Sequence, residues 1–461
     1  MKHAERGRRT NSSGRGRARS TRSPVFAAGW CLARVVGIVR AMSDDDGQLE
    51  RWREWARQWA SWPGPPLPGH VPMTDDLLRQ LIASRVQEAA AAIGDSKPAT
   101  TTPAAPVGGS KPATAAAAVA ATVTGTPEEH RARIDADPLA YDSFHALFSH
   151  YRGQDQLDAA FCVARALVFL KQASADETQL HRQFHRPEFR QVRQPLSEDM
   201  LRRQVFHPDE DLWLTGVFGM NAPAAAARWA KPLPSFARSR GRLDLAGDRS
   251  PVARMIKYVK EVLNVGEPDV YLMDDGAGVS VFNSQRDGRV HPALFVGREA
   301  VGDDLRPLAF ALGRAMTELY LPHYMFVCVD RSLPNLKAVL RACRAMAGLD
   351  VGVPPDMEVL ARELRARLPS RHPEQLRELF ARIEAAGHQL DAEKWARGLE
   401  ITAHRIGLIL ADDLGVAAQH IRGEREGFSF LTARDMVQEL VRYSISEDYF
   451  TVRKSLGLAV A

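Results

Sequence analysis

The chain has 461 residues, 45% hydrophobic and 25% charged, the composition of a soluble globular protein with ample material for a core. Its length alone suggests two to four domains. Residues 1–42 hold ten Lys or Arg and one Glu, so the net charge of +5 becomes −4 over the remainder, which carries no nucleic-acid footprint.

The basic leader, 1–42, has three readings. Arg6–Arg22 followed by Val25–Val39 imitates a secretory signal, although Arg34 interrupts the apolar run and no small-residue cleavage site ends it. A basic disordered arm is the second reading. The third is an over-extended start, with Met42-Ser-Asp-Asp-Asp as the point of initiation. No stretch of about 20 uninterrupted apolar residues exists, so no transmembrane helix is expected. The four cysteines, Cys31, Cys162, Cys328 and Cys343, are scattered without metal spacing and read as free thiols in a reducing, cytoplasmic compartment.

Residues 43–93 form a Trp-rich helical segment. Trp52, Trp55, Trp59 and Trp62 fall at i, i+3, i+7 and i+10, one aromatic face of a short helix that Pro63-Gly-Pro-Pro ends. The stripe docks onto the body, or anchors the chain in a partner's groove or on a membrane surface. The mixed charges of the opposite face, Glu50, Arg51, Arg53, Glu54 and Arg57, make a membrane the weaker choice. A second amphipathic helix is expected over Asp75–Ala92. Residues 94–127 are Ala/Thr/Pro-rich, with Ser96-Lys-Pro-Ala-Thr repeated at Ser110, and form a flexible linker.

Within 128–185, two amphipathic helices meet at Arg152-Gly-Gln-Asp155. The turn after Tyr151, Asp158-Ala-Ala160 and the small residues Ala164 and Ala166 resemble one tetratricopeptide repeat. One repeat is too few to stand alone, so it packs on the domain C-terminal to it; a plain helical hairpin is the simpler alternative. Further on, Ser197 is an N-cap. His207, Asp209, Glu210 and Asp211 either ligate a metal or, with Pro208 starting a helix, supply acids to its N-terminus. Leu212, Leu214, Val217 and Phe218 would be that helix's buried side. Pro232–Arg249 reads as an irregular basic connection, and Val252–Leu263 as a helix.

The periodicity then shortens. Asp269–Met273, Val279–Asn283 and Pro292–Gly297 read as three strands of a small, mostly antiparallel sheet. Next comes a helix over Pro307–Tyr324, opened by Pro307 and stopped by Pro322, with a core face of Leu308, Leu312, Ala315, Met316 and Leu319. Arg314 and Glu318 stand four apart on another face. Helices are expected over Leu333–Ala347, Asp356–Leu368, Pro373–Ala386, Asp391–Ala411, Asp413–Arg422 and Thr432–Tyr443, with a last one near Asp448. His323 and His372 lie beside prolines in turns and His388 follows Gly387. The fold class is mainly α with a small sheet.

A helix feeding three strands, a Leu312-Gly313 helix and a later long helix together resemble the zinc metallopeptidase core called gluzincin. In that group His-Glu-x-x-His follows Leu-Gly, and a later helix supplies a Glu in Glu-x-x-x-Asp. Zinc needs two imidazoles on one helical face, and the bound water needs a neighbouring Glu as base. The resemblance places the first His at Arg314, the base at Ala315, the second His at Glu318 and the third ligand at Glu400, with His404 in place of Asp. An Arg cannot ligate zinc. Arg314 would then pair with Glu318 and face Glu400 in the former metal pocket; the alternative leaves both side chains on a solvated face. As a whole, Asp137–Ala461 looks like the C-terminal region of large bacterial tetratricopeptide-repeat proteins, without their long repeat array. The expectation is a non-catalytic scaffold or protein-interaction protein, with 186–461 as a pseudo-metallopeptidase-like unit, no cofactor and a protein partner. The rival is a metal-dependent hydrolase using Glu318, Glu400 and His404.

Overall fold

The structure is a computed structural model that describes residues 125–461 apart from 275–277, 287, 351, 353 and 424–429. The basic leader, the Trp stripe at 52, 55, 59 and 62, the helix expected at 75–92 and nearly all of the linker lie outside the described residues.

A capping box between Thr126 and Glu129, with Pro127 in the first turn, starts α1 (Pro127–Ala136). The hairpin expected from the repeat-like pattern comes next as α2 (Tyr141–Gly153) and α3 (Leu157–Phe169), turning through Asp155 in the left-handed region at φ 54°. Ala159, Ala160, Ala164 and Ala166 are buried on α3 and let its neighbours come close. Helix α4 (Ala175–Phe184) carries a second capping box, Ser174 with Glu177.

Ser197 caps the short turn Glu198–Met200 as expected, and the chain then widens into a π-helical turn, Leu201–Val205. The next helix, α5 (Leu212–Trp229), does not begin at Pro208. Residues 208–210 make a turn, and Asp211 is the N-cap, accepting from Trp213 N and Leu214 N. Leu214, Val217 and Phe218 are buried on it, but Leu212, in the first turn, is exposed. The basic connection is also more regular than expected, holding a two-residue strand β1 (Lys231–Pro232) and helix α6 (Ser235–Arg240). Ser250 and Pro251 start α7 (Pro251–Leu263), which Asn264 ends in the left-handed region.

Strands β2 (Asp269–Met273), β3 (Val279–Arg286) and β4 (Arg289–Gly297) succeed it. The sheet differs from the expected three-strand, mostly antiparallel arrangement: it has four strands in the order β1-β3-β4-β2. Only β3 and β4 form an antiparallel hairpin; β2 lies parallel to β4 and β1 parallel to β3. Short turns suggested sequential pairing, but β2 passes over its chain neighbour to cover the far edge of β4. Alternation sorts the faces. Leu294 and Val296 of β4 enter the main core, while Ala293 and Phe295 join Tyr271 and Ala237 in a small cluster under α6.

The expected helix Pro307–Tyr324 is two helices. Asp304 caps α8 (Leu305–Thr317), and α9 (Leu321–Cys328) starts afresh with Pro322 in its first turn, so this proline opens a helix instead of stopping one. Then come α10 (Leu333–Met346), α11 (Pro355–Arg365), α12 (His372–Ala385), α13 (Ala392–Ala411), α14 (Leu414–Gly423), α15 (Ala433–Ser444) and α16 (Glu447–Leu456), near their expected bounds.

One contiguous core runs from Ile134 to Leu458, so the repeat-like hairpin shares its interior with the rest. An ionic cluster joins the two. Arg165 of α3 donates to Asp412 Oδ1 (2.6 Å) and Tyr449 OH (2.9 Å). Arg453 of α16, 1% exposed, binds Asp158 and Asp412 and donates to Leu458 O at 2.9 Å. No described helix is long and apolar enough to cross a membrane.

Candidate functional site

The site is built on the crossing of α8 and α13. Their backbones approach because glycines face each other's helix. A Cβ at Gly407 would lie 2.9 Å from the Phe310 ring and 3.0 Å from its carbonyl; one at Gly313 would lie 2.6 Å from Leu410 Cδ1. Farther along α13, a Cβ at Gly398 would sit 2.4 Å from Glu210 N, so the His207–Asp211 turn is pressed onto that helix.

Beside this crossing opens a cleft of about 1720 Å³. Its walls come from α8, α13, α14, α15 and the start of β3. Arg314, Glu318, Glu400 and His404, the four positions singled out from sequence, all line it. The structure thus gathers them, but with other partners than expected. Glu318 stands just past the last turn of α8 and is bound by Arg331: Nε donates to Oε1 at 2.9 Å and Nη2 to Oε2 at 2.5 Å. Arg331 Nη2 also donates to Val281 O (3.0 Å), so the guanidinium ties the cleft floor to β3. Glu318 is thus held by this two-pronged pair, and its side chain is only 11% exposed, not on a solvated face. Burial opposes the charge on Arg331, and the Glu318 carboxylate more than offsets it, raising its pKa.

Glu400 Oε2 accepts from Phe430 N at 2.8 Å. His404 is buried, and its Nδ1 donates to Glu400 O, one turn back, at 2.8 Å. The rim is acidic: Glu299, Asp303, Asp304 and Asp330 are exposed there. Arg306 binds Asp304 and holds its carboxyl below the usual range, and Lys231 Nζ lies 2.6 Å from Asp330 Oδ1.

Arg331 is the residue that sequence reasoning missed. It and Asp330 both take φ 55°, a left-handed pair costing roughly 1–2 kcal/mol per non-glycine residue. That turn aims the guanidinium back under α8. The only hint is Asp330-Arg-Ser-Leu-Pro334, which marks a helix boundary without showing where the side chain goes.

Asp209, Glu210 and Asp211 have separate tasks rather than one shared metal. Asp209 Oδ2 binds Arg397 (2.6 Å), and Asp211 caps α5. Glu210 is fully buried, accepting from Thr402 Oγ1 (2.9 Å) and bonded to His323 Nε2 (2.5 Å). His323 and His372, read as turn residues, are buried in α9 and α12; His372 Nε2 meets Asn221 Oδ1 at 3.0 Å. Among the described residues, no three His, Cys, Asp or Glu side chains are grouped so as to hold a metal ion. Cys162, Cys328 and Cys343 are free and buried, and burial pushes each thiol pKa up; Cys31 lies outside the described residues.

No family model matches the chain, and no curated protein or solved structure matches it.

Proposed function

We propose that the chain is a non-catalytic protein-interaction or scaffold protein, in which a cleft resembling a metallopeptidase site serves to bind a polypeptide. The observation that carries this reading is the Glu318–Arg331 pair. The carboxylate nearest the place of a second zinc ligand is held at both oxygens by a guanidinium, and Arg314 brings a permanent cation to the place of the first. Glu400, the one carboxylate kept from the peptidase pattern, accepts a backbone N–H instead. A nucleophile or ligand set built from Glu318, Glu400 and His404 would have to break these bonds first, which disfavours a metal-dependent hydrolase. The cleft exceeds the roughly 300–1000 Å³ of small-molecule sites and suits a peptide element better. The partner is thus a protein, and the C-terminal region of bacterial tetratricopeptide-repeat proteins is the family proposed.

A photo-reactive residue in place of Gln419, on the cleft wall and exposed, tests this in cells producing the full chain. The expected result is a discrete protein adduct that the same probe at Lys171, exposed and outside the cleft, does not give. Equal adducts at both positions would contradict the reading.

A further inference from the structure

We propose that the cleft is filled by the chain's own Trp-rich segment, residues 49–62. This requires only the cleft and holds whether or not the body catalyses a reaction.

The first observation is size. A 14-residue helix is about 21 Å long, and four indoles on one face offer roughly 150–250 Å² each. A cleft of about 1720 Å³ accommodates such a face, whereas a metabolite would leave most of it wet. The second is chemistry. Ala311, Ala315, Leu399, Ala403, Val416 and Met436 line its apolar interior. Around it stand the rim carboxylates Glu299 and Asp303, with Asp304 and Asp330 already paired to Arg306 and Lys231. The segment presents the complement: an indole stripe flanked by Arg51, Arg53 and Arg57, against Glu50 and Glu54. Arginine at the edge of an aromatic face is suited to an acidic rim.

The third observation is reach. Helix α1 packs on α15, whose Ala433 and Met436 line the cleft, but Asp135 lies by Glu439 and Arg442 and Arg131 bonds Glu447, so the described chain enters at the end of α15 away from the cleft. The path to the cleft is at most the lengths of α1 and α15 together, about 15 Å and 18 Å for their 10 and 12 residues. The Ala/Thr/Pro-rich residues 93–124 alone, 32 in number, would span roughly 28–34 Å as a coil, and the 30 residues from 63 to 92 add to that reach. Tethering raises the local concentration of the segment to the millimolar range, so modest intrinsic affinity suffices for occupancy. An external partner must then displace the segment, which makes the Trp stripe an internal competitor for the cleft.

Hydrogen exchange on the full chain tests the proposal, because substitutions in residues 49–62 cannot unfold a core that does not contain them. The expected result is about tenfold slower exchange of amides 49–62 than in a variant with Trp52→Ala, Trp55→Ala, Trp59→Ala and Trp62→Ala. Cleft segments containing Leu399–Ala403 and Ala433–Met436 should exchange faster in that variant. Reversing the rim with Glu299→Lys and Asp303→Lys should reduce the protection of 49–62 several-fold. Three results would each overturn the proposal. An unprotected segment 49–62 would leave the cleft to another protein. Protection of 49–62 with cleft exchange unchanged would place its dock elsewhere. Protection that grows with protein concentration would make the occupant a second copy.

Discussion

Arg331 shows how a single side chain ties two walls of the cleft together. Its guanidinium holds Glu318 at two oxygens and Val281 O at a third contact, and its backbone sits at φ 55° to do so. Removing the side chain leaves a mostly buried carboxylate without its cation. Because Arg331 is 29% exposed, the cost falls below that of a fully buried pair, about 1–3 kcal/mol. Arg331→Gly relieves the backbone strain that Arg331→Ala retains, so glycine should be the milder change by about 1 kcal/mol. Denaturant unfolding of both variants checks this order; alanine milder than glycine would show that the turn is unstrained. Glu318→Gln keeps a hydrogen-bond acceptor for Arg331 and should cost less than either.

At the scale of elements, the crossings of α13 depend on absent side chains, and the neighbours that a methyl would meet set the order of damage. At Gly398 it meets the backbone of Asp209 and Glu210, which cannot step aside; at Gly407 the Phe310 ring and carbonyl; at Gly313 chiefly the end of Leu410. Thermal melts should rank Gly398→Ala as most destabilising and Gly313→Ala as least, with the first costing about 2 kcal/mol or more. A reversed order would refute the close approach at Glu210. The same elements show what sequence conveys. The helices from Leu333 onward were legible because their apolar periods are strong and Ser332, Asp391, Thr432 and Ser446 cap them. Strand order was not, since β2 pairs with β4 by a long-range choice that no local pattern encodes. The break at Glu318–Tyr320 was hidden because Leu319, Tyr320 and Leu321 continue the apolar run through it. Of the site, Arg314, Glu318, Glu400 and His404 were singled out together from sequence, whereas the partners Arg331 and Phe430 are set by the folding of later segments that no local pattern specifies.

Helix pairing in the repeat-like region has a pH signature of its own. His145 Nδ1 lies 2.7 Å from Glu177 Oε1; that bond raises the His145 pKa, and burial opposes while the hydrogen bonds to His145 and Ser174 lower that of Glu177. The raised His145 contributes stability that is complete below its unfolded pKa near 6.5 and is lost as pH rises through the folded value. The lowered Glu177 contributes stability present above its unfolded pKa near 4.3 and lost as pH falls through the folded value. His145→Gln should therefore destabilise more at pH 6 than at pH 9; an equal effect at both would mean that the pair carries no charge.

For the molecule as a whole, buried His372 and half-buried His181 oppose protonation. Burial lowers His372 to about 3, and burial with neighbouring His185 lowers His181 to about 4. Both fold with depressed values, so their contribution is present above the unfolded pKa near 6.5 and is lost progressively as pH falls below it. Stability should decline between pH 6.5 and 4 with proton uptake on unfolding, and His372→Asn should flatten that slope; an unchanged slope would move the acid sensitivity elsewhere. Because Arg165, Asp158, Asp412 and Arg453 join the hairpin to the last helices within one core, this loss should occur as a single transition.

We propose that the cleft, held by the Arg331–Glu318 pair, takes a polypeptide and not a catalytic metal. Elemental analysis of the purified full chain after exposure to excess zinc and gel filtration tests it most directly. The account predicts well under one zinc per chain, unchanged by Glu318→Gln or His404→Ala. One zinc per chain, lost in both variants, would contradict it.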